Sequence, residues 1–294
     1  MLEIDKSTGA FARLVSPDAP LDRIYHGLSF GEGPLWNRRD GTFLWVDIVG
    51  DTIYRWKPGV GAEVFIRPST KANGLTFDKE GRLCVAGWAS RSVWRVERDG
   101  SVTTLASHYR GKRINSPNDI VVRSDGAIYF TDSPGALYNV GMASEDLQQY
   151  LDFQGVFRIS ADGAKLDAVI TDTVYPNGLA FTPDESVLYV NDTRLGEIRA
   201  YDMRPDGSCG QKRLFHKLTG SEPGIADGMK EAAESLKAAG VDANFLLFLE
   251  YTDALKYVAD HAQGKVIFMD NGAAASTRVV QGILSMGAEA PRSS

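Results

Sequence analysis

A pattern of alternating apolar and polar positions recurs along the first two thirds of the chain. Each copy begins at an Asn, continues through a short apolar strand, turns at a polar pair and enters a second alternating strand. Three copies read "NGLTFDKEGRLCVAGW" (73–88), "NDIVVRSDGAIYFTDS" (118–133) and "NGLAFTPDESVLYVND" (177–192). Alternation with a period of two is typical of β-strands. The pattern therefore predicts a chain built from copies of one β unit.

A weaker copy precedes these three, and a third strand follows every copy. The weaker copy, "EGPLWNRRDGTFLWVDI" (32–48), is one residue longer and has Glu32 in place of Asn. The third strands lie in "TIYRWKPG", "SVWRVERDG", "GVFRISADG" and "EIRAYDMRPDG". Copies that start at residues 32, 73, 118 and 177 are 41, 45 and 59 residues apart, as in β-propeller blades. We therefore predict an all-β propeller with four recognisable blades and a fifth that begins near Asp227.

Propeller geometry places the first residue of each copy beside the central channel, because the innermost strands line that channel and their equivalent ends converge. The converging set is Glu32, Asn73, Asn118, Asn177 and Asp227. Carboxylate and amide oxygens are the ligands that a hard divalent cation prefers, and this set contains no Cys or His. The pattern predicts a metal site. The alternative is that an Asn before Gly serves only as a turn residue.

Composition limits the classes of partner. The chain has 294 residues, of which 43% are hydrophobic and 24% charged, so it can bury a large core. A net charge of -6 argues against a nucleic-acid surface, which needs clustered Lys and Arg. No stretch approaches the roughly 20 apolar residues of a spanning helix, and the first residues do not resemble a signal peptide. We expect a cytoplasmic protein without a transmembrane segment, whose partners are small solutes or proteins, and whose Cys84 and Cys209 are reduced.

Four short segments together carry a family resemblance. "GEGPLW" with "LWVDI", "SPNDIVV" with "DGAIYFTD", "YPNGLAFTPDESVLYVND" and "ADGM" resemble the senescence marker protein/gluconolactonase (SGL, regucalcin-like) family over about residues 12–230. The resemblance implies a six-bladed propeller that hydrolyses sugar lactones or related cyclic esters with one divalent metal ion at its axis. It implies Glu32, Asn177 and Asp227 as metal ligands and Asn118 as a residue that joins the metal shell or holds substrate. Asn73 then belongs to a second tier of the pocket.

The expected chemistry needs no protein nucleophile. A metal ion with open positions polarises the lactone carbonyl and activates a water molecule, and Asp227 beside it can act as general base. The sequence contains no Gly-x-Ser-x-Gly elbow. The oxygen-rich ring accepts calcium, zinc, magnesium, manganese or iron. Arg113, on the loop before Asn118, is a candidate for contact with a hydroxylated or anionic substrate, and a solvated loop charge is the alternative.

Two further groups of residues have structural roles in this interpretation. Asp47, Asp132 and Asp192 close equivalent strands, so we predict that their carboxylates accept hydrogen bonds from turn amides. The five tryptophans all fall on strand patterns, and we predict that they pack between blades: Trp36, Trp45, Trp56, Trp88 and Trp94.

The propeller pattern ends after Lys230. The next 40 residues, 231–270, are rich in Ala, Leu, Glu and Lys, with Gly240 between two helical patterns. We predict a propeller domain over 1–230, a helical hairpin with a short strand over 231–270, and a loosely ordered tail over 271–294. Residues 231–270 weakly resemble the C-terminal segment of band 7 (stomatin/prohibitin/flotillin) proteins.

This end leaves three functional alternatives. The first is a working metal-dependent lactonase whose helical segment covers the gap in the propeller. The second is a truncated or fused propeller without turnover that serves as a metal-binding scaffold. The third is a module that self-associates through an open sheet edge or the C-terminal helices.

Overall fold

A computed structural model describes residues 23–139 and 141–217. These ranges contain eighteen β-strands and one 3₁₀ helix, Gly135–Leu137. Sixteen of the strands form four antiparallel four-stranded sheets, in each of which the strands pair in sequence order. We call these sheets blades 1 to 4. The prediction of an all-β propeller is confirmed in fold class for these residues, and the start of a fifth blade near Asp227 and the segments 231–270 and 271–294 lie outside them.

The strands have the following bounds. Blade 1 contains β1 (Gly31–Asn37), β2 (Thr42–Asp47), β3 (Thr52–Lys57) and β4 (Gly61–Ile66). Blade 2 contains β5 (Leu75–Phe77), β6 (Leu83–Gly87), β7 (Ser92–Val96) and β8 (Val102–Ala106). A two-stranded hairpin follows, made of β9 (His108–Tyr109) and β10 (Lys112–Arg113). Blade 3 contains β11 (Ser116–Val122), β12 (Ile128–Ser133), β13 (Gln154–Ile159) and β14 (Leu166–Thr173). Blade 4 contains β15 (Pro176–Phe181), β16 (Val187–Asp192), β17 (Glu197–Met203) and β18 (Cys209–Lys217).

Each blade has one strand more than the sequence pattern indicated. The first three strands of every blade coincide with the predicted repeat, whereas the fourth strand was not predicted. The fourth strands contain few buried residues: β4 and β18 have none, β8 has one and β14 has two. A strand with so few buried positions lacks the apolar alternation by which strands are found in a sequence.

The blades pack face to face because their strands are apolar on both sides. In blade 3, Ile120, Phe130 and Phe157 belong to a cluster with buried residues of blade 2. Their neighbours in the strands face the other way and join a cluster with blade 4; these are Val121, Tyr129 and Val156. Successive side chains of a strand point to opposite faces, so one apolar strand supplies both interfaces.

The tryptophan prediction is confirmed for Trp88 and Trp94, which belong to a cluster shared by blades 1 and 2, and is wrong for Trp36. Trp45, Trp88 and Trp94 are buried in the described structure. Trp36 is 45% exposed because it lies next to Leu35 in β1 and points to the opposite face from that core residue. Both cysteines are free thiols. Within the described residues, no helix is long and apolar enough to cross a membrane.

Candidate active site

The candidate ligands occupy the same position in the ladder of three blades. In each of these blades a buried Asp lies at the end of the second strand or one residue before it, and it pairs with the residue immediately before a candidate ligand. The three sets are Gly31–Asp47 followed by Glu32, Pro117–Asp132 followed by Asn118, and Pro176–Asp192 followed by Asn177. The structure thus confirms that the repeat places these side chains at equivalent ends of the inner strands.

Blade 2 follows the same plan with a different closing residue. The backbone N–H of Asn73 donates to the carbonyl oxygen of Ala86 at 2.9 Å, one residue before β6 ends at Gly87. The strand β5 begins only at Leu75, so Asn73 lies just ahead of it. Asn73 therefore occupies the ring position that the sequence predicts.

In each blade whose candidate ligand lies in a strand, the pairing of the first two strands is interrupted next to that ligand. The pairing of the first two strands shifts between Glu32 and Leu35, between Pro117 and Ile120, and between Pro176 and Leu179. Such bulges bend a strand locally and are common beside active sites, where they redirect a side chain. The bulges here redirect the backbone at the end of the blades where the candidate ligands lie.

Neighbouring inner strands contact one another at these ends. The N–H of Gly74 donates to the carbonyl oxygen of Asn118 at 2.8 Å. Gly33 has φ +55° and lies so close to the Asn73 carbonyl that a Cβ atom would collide with it, which requires glycine. The Asp119 carboxylate accepts the N–H of Leu179 at 3.1 Å and so links blade 3 to blade 4. These contacts bring the ring segments of four successive blades together.

The side chains of the ring are suited to an oxygen-coordinated cation. Asn73, Asn118 and Asn177 are only 5 to 7% exposed, and Glu32 is half-buried. The Asn177 amide nitrogen donates to the Thr193 hydroxyl oxygen at 3.2 Å, which directs the amide carbonyl oxygen away from that contact. Carboxylate and amide oxygens fit a hard divalent ion. Glu32, Asn118 and Asn177 are therefore the described residues that would hold one.

Asp227, the second predicted carboxylate, lies outside the described residues. In the part of the chain that the structure describes, no group of three His, Cys, Asp or Glu side chains could hold a metal ion. The candidate ring there has a single carboxylate, Glu32, beside its asparagines. The predicted roles of Asp227 as ligand and base remain predictions.

The three strand-closing aspartates bind turn amides, as predicted. Asp47 accepts the N–H groups of Ser29, Phe30 and Gly50. Asp192 accepts those of Val174, Tyr175 and Leu195. Asp132 accepts the N–H of Asn115 at 2.9 Å. The carboxylates thus fix the loops that enter and leave the ring.

Asp132 differs from the other two because one of its oxygens has no partner. Its side chain is fully buried, and Oδ1 forms no hydrogen bond within the described residues. Burial raises the pKa of Asp132 from 3.8 to about 7, against the opposing effects of the Asn115 N–H and the Arg91 guanidinium. At a pH between about 4 and 7, Asp132 therefore takes up a proton when the chain folds.

This proton uptake gives the folding stability a pH dependence that Asp132→Asn removes. Between about pH 4 and pH 7 the native chain binds more protons at this site than the unfolded chain, so its stabilising contribution falls as pH rises. We expect the free energy of unfolding of the wild type, relative to Asp132→Asn, to be greatest below pH 4 and to decline toward pH 7. Urea denaturation of both proteins across this pH range measures the difference in free energy of unfolding. A difference that does not vary with pH contradicts a raised pKa of Asp132.

A 20-residue connection between β12 and β13 lies over the same end of the blades. We call residues 134–139 and 141–153 the strap. The turns between the second and third strands of the other blades have only four residues. The strap accepts donors from blade 2 on its carbonyl oxygens: Lys71 at Gly141 and Ala143, Trp88 at Met142, and Arg91 at Asp146 and Gln148. It is therefore anchored across the boundary of blades 2 and 3.

Arg113 lies in strand β10 and not on a loop. Its guanidinium donates to the Asp146 carboxylate at 3.0 Å and to the Ser90 carbonyl at 3.1 Å. These contacts hold the strap, and one third of the Arg113 side chain stays exposed. The predicted contact of Arg113 with substrate remains a prediction.

The four described sheets, with the starts of their inner strands side by side, are those of a β-propeller. Residues 30–236 match the SMP-30/gluconolactonase/LRE-like region, and the chain belongs to this family. The match extends six residues beyond Lys230, where the repeat pattern ends, and it includes Asp227.

The named relatives of the chain are lactonases. The chain is 32% identical over 250 residues to a gluconolactonase of Zymomonas mobilis, a match that covers 77% of this chain and 68% of the relative. It is 27% identical over 206 residues to a pentonolactonase of Haloferax volcanii, with 68% and 62% covered. The solved structure of a gluconolactonase from Xanthomonas campestris has a TM-score of 0.70 and 34% identity and covers 76% of this chain and 73% of that one. The chain thus spans about two thirds of the length of its curated relatives.

Proposed function

We propose that this chain is a metal-dependent lactonase that opens sugar lactones, with Asp227 as the general base. The observation that carries the proposal is the equivalent placement of Glu32, Asn118 and Asn177, each of which directly follows the residue that pairs with the buried Asp of its blade. Substrates named for its relatives, a gluconolactone and a pentonolactone, support a cyclic ester of a sugar acid. Such substrates present hydroxyl groups that buried amides can bind.

The ring residues divide the work between charge, orientation and proton transfer. A divalent ion held there would polarise the lactone carbonyl and lower the pKa of water. Glu32 contributes negative charge, and Asn118 and Asn177 contribute neutral oxygens. The Thr193 hydroxyl fixes which way the Asn177 amide points. Asn73 and Asn118 are the proposed partners of the substrate hydroxyls.

Asp227 carries the proton in this scheme. It takes a proton from the attacking water as the bond between the water oxygen and the carbonyl carbon forms. The bond from that carbon to the ring oxygen then breaks, and the ring oxygen takes the proton from Asp227. The product is the open hydroxy acid, which releases one further proton at neutral pH.

The protons released when the full chain hydrolyses a lactone can be measured, and this measurement tests the proposal. The rate of D-glucono-1,5-lactone hydrolysis is measured in a pH-stat, and the spontaneous rate is subtracted. The assay is run with and without EDTA, and with the Asp227→Ala variant. We expect turnover that EDTA abolishes, that added calcium, zinc or manganese restores, and that Asp227→Ala lacks. Turnover that survives EDTA contradicts metal dependence. Metal-dependent thermal stabilisation without turnover favours the scaffold alternative.

A further inference from the structure

A tight turn after β16 holds Arg194 beside the ring. The Thr193 N–H donates to the Tyr175 carbonyl at 3.0 Å, and the Leu195 N–H donates to the Asp192 carboxylate at 3.2 Å. The Thr193 hydroxyl in turn accepts the Asn177 amide. Arg194 is thus placed between two fixed residues, one of which contacts a candidate ligand, and its side chain is exposed.

Two tyrosines stand next to this turn. Tyr138 follows the 3₁₀ helix of the strap, where the Ala136 N–H donates to the Ser116 hydroxyl, two residues before Asn118. The rings of Tyr138 and Tyr175 lie 6.5 Å apart in an edge-to-face arrangement. The strap touches Tyr175 so closely that a Cβ on Gly135 would collide with its hydroxyl. The strap therefore joins Ser116 of blade 3 to Tyr175, the residue directly before β15 of blade 4.

The hydroxyl of Tyr138 is close to Arg194 without a well-aligned bond to it. The hydroxyl is buried and has no properly formed hydrogen bond in the described part of the chain. Burial raises the pKa of Tyr138, while the nearby Arg194 guanidinium and Tyr175 hydroxyl oppose that effect. Among the described residues Arg194 also forms no ion pair, and the Asp192 carboxylate beside it is occupied by three backbone N–H groups.

We propose that Arg194, with the hydroxyls of Tyr138 and Tyr175, forms a subsite for an anionic substituent of the lactone, such as a phosphate or a carboxylate. The exposed guanidinium presents several N–H donors in a plane that matches the oxygens of such groups, and the buried Tyr138 hydroxyl beside it helps to position it. The inference rests on the proposed lactonase function, because the subsite adjoins the same ring. It makes the enzyme selective for charged over neutral sugar lactones.

The test compares two lactones that differ in one charged group. The ratio of kcat/KM for 6-phospho-D-glucono-1,5-lactone to that for D-glucono-1,5-lactone is measured on the full chain, Arg194→Gln, Arg194→Lys and Tyr138→Phe. We expect Arg194→Gln to lower this ratio by about 10- to 100-fold, the range of one charge-assisted hydrogen bond. Arg194→Lys should recover part of the ratio because it keeps the charge without the planar fork.

The matched control removes the same charge from the same blade. Arg204 lies in the turn between β17 and β18, at the opposite end of the strands, where it donates to Ser208 and Cys209. Arg204→Gln should leave the ratio unchanged. A ratio that stays the same in Arg194→Gln, or that falls equally in both variants, overturns the subsite.

A binding measurement separates this inference from the function on which it rests. If neither lactone is hydrolysed in an EDTA-sensitive way, the proposed function fails. Calorimetry with 6-phosphogluconate and gluconate still decides on the subsite. Tighter binding of the phosphorylated acid that Arg194→Gln reduces at least tenfold supports it, and equal binding of the two acids overturns it.

Discussion

Glu32→Gln is expected to lower kcat/KM for D-glucono-1,5-lactone by at least about 100-fold. The substitution keeps the size of the side chain and removes the negative charge that Glu32 brings to the ring. Replacing residues that merely support a metal ligand already costs about 10- to 100-fold in metal affinity or activity. Replacement of a metal ligand itself should reduce metal affinity or activity at least as much. Initial rates at saturating metal and at limiting metal measure the loss.

Glu80→Gln is the matched control for this variant. Glu80 lies on the turn between β5 and β6, at the other end of the blade, and forms an exposed ion pair with Arg82. Exposed pairs of this kind contribute little to stability, so we expect near wild-type rates. Glu32→Gln that folds normally and keeps activity within threefold of the wild type contradicts the placement of Glu32 in the site.

Asp192→Ala is expected to lower the free energy of unfolding by roughly 3 to 5 kcal/mol. The Asp192 carboxylate is 1% exposed and accepts the N–H groups of Val174, Tyr175 and Leu195 at 2.7 to 3.2 Å. Its removal leaves three backbone donors without an acceptor in a site with little access to water. Urea denaturation followed by intrinsic fluorescence measures the change.

Asp184→Ala is the matched control, because the Asp184 carboxylate accepts as many hydrogen bonds as that of Asp192. Asp184 accepts three bonds from Thr182 and Ser186, but it lies on an exposed turn where water can replace them. We expect a loss of about 1 kcal/mol or less. Equal losses in the two variants would show that burial of Asp192 does not set its contribution.

The ladder positions of the candidate ligands were predictable because they combine a local signal with a global repeat. Asn118 and Asn177 begin copies with the same spacing from strand to turn, and the spacing fixes which end of each strand they occupy. The closing aspartates Asp47, Asp132 and Asp192 repeat in step with them. Once the repeat is recognised, the residue at the start of each inner strand locates the site, because these strand ends converge in a propeller.

The strap and the Arg194 turn could not be found in the same way. Lys71, Trp88 and Arg91 hold the strap through its carbonyl oxygens, which every residue possesses, so the contacts leave no pattern in the side chains. The available signal was the interval of 59 residues between Asn118 and Asn177, which is longer than the other intervals and indicates an insertion. Arg194 occurs in a single copy, where a search for repeats does not find it.

The central claim is that one divalent ion binds at the ring. Calorimetric titration of calcium, zinc and manganese into the metal-free full chain, the Glu32→Gln variant and the Glu80→Gln control tests it directly. We predict one ion per chain for at least one of these metals, with the same affinity in Glu80→Gln and at least tenfold weaker binding in Glu32→Gln. Binding of equal affinity and stoichiometry in all three proteins would contradict it.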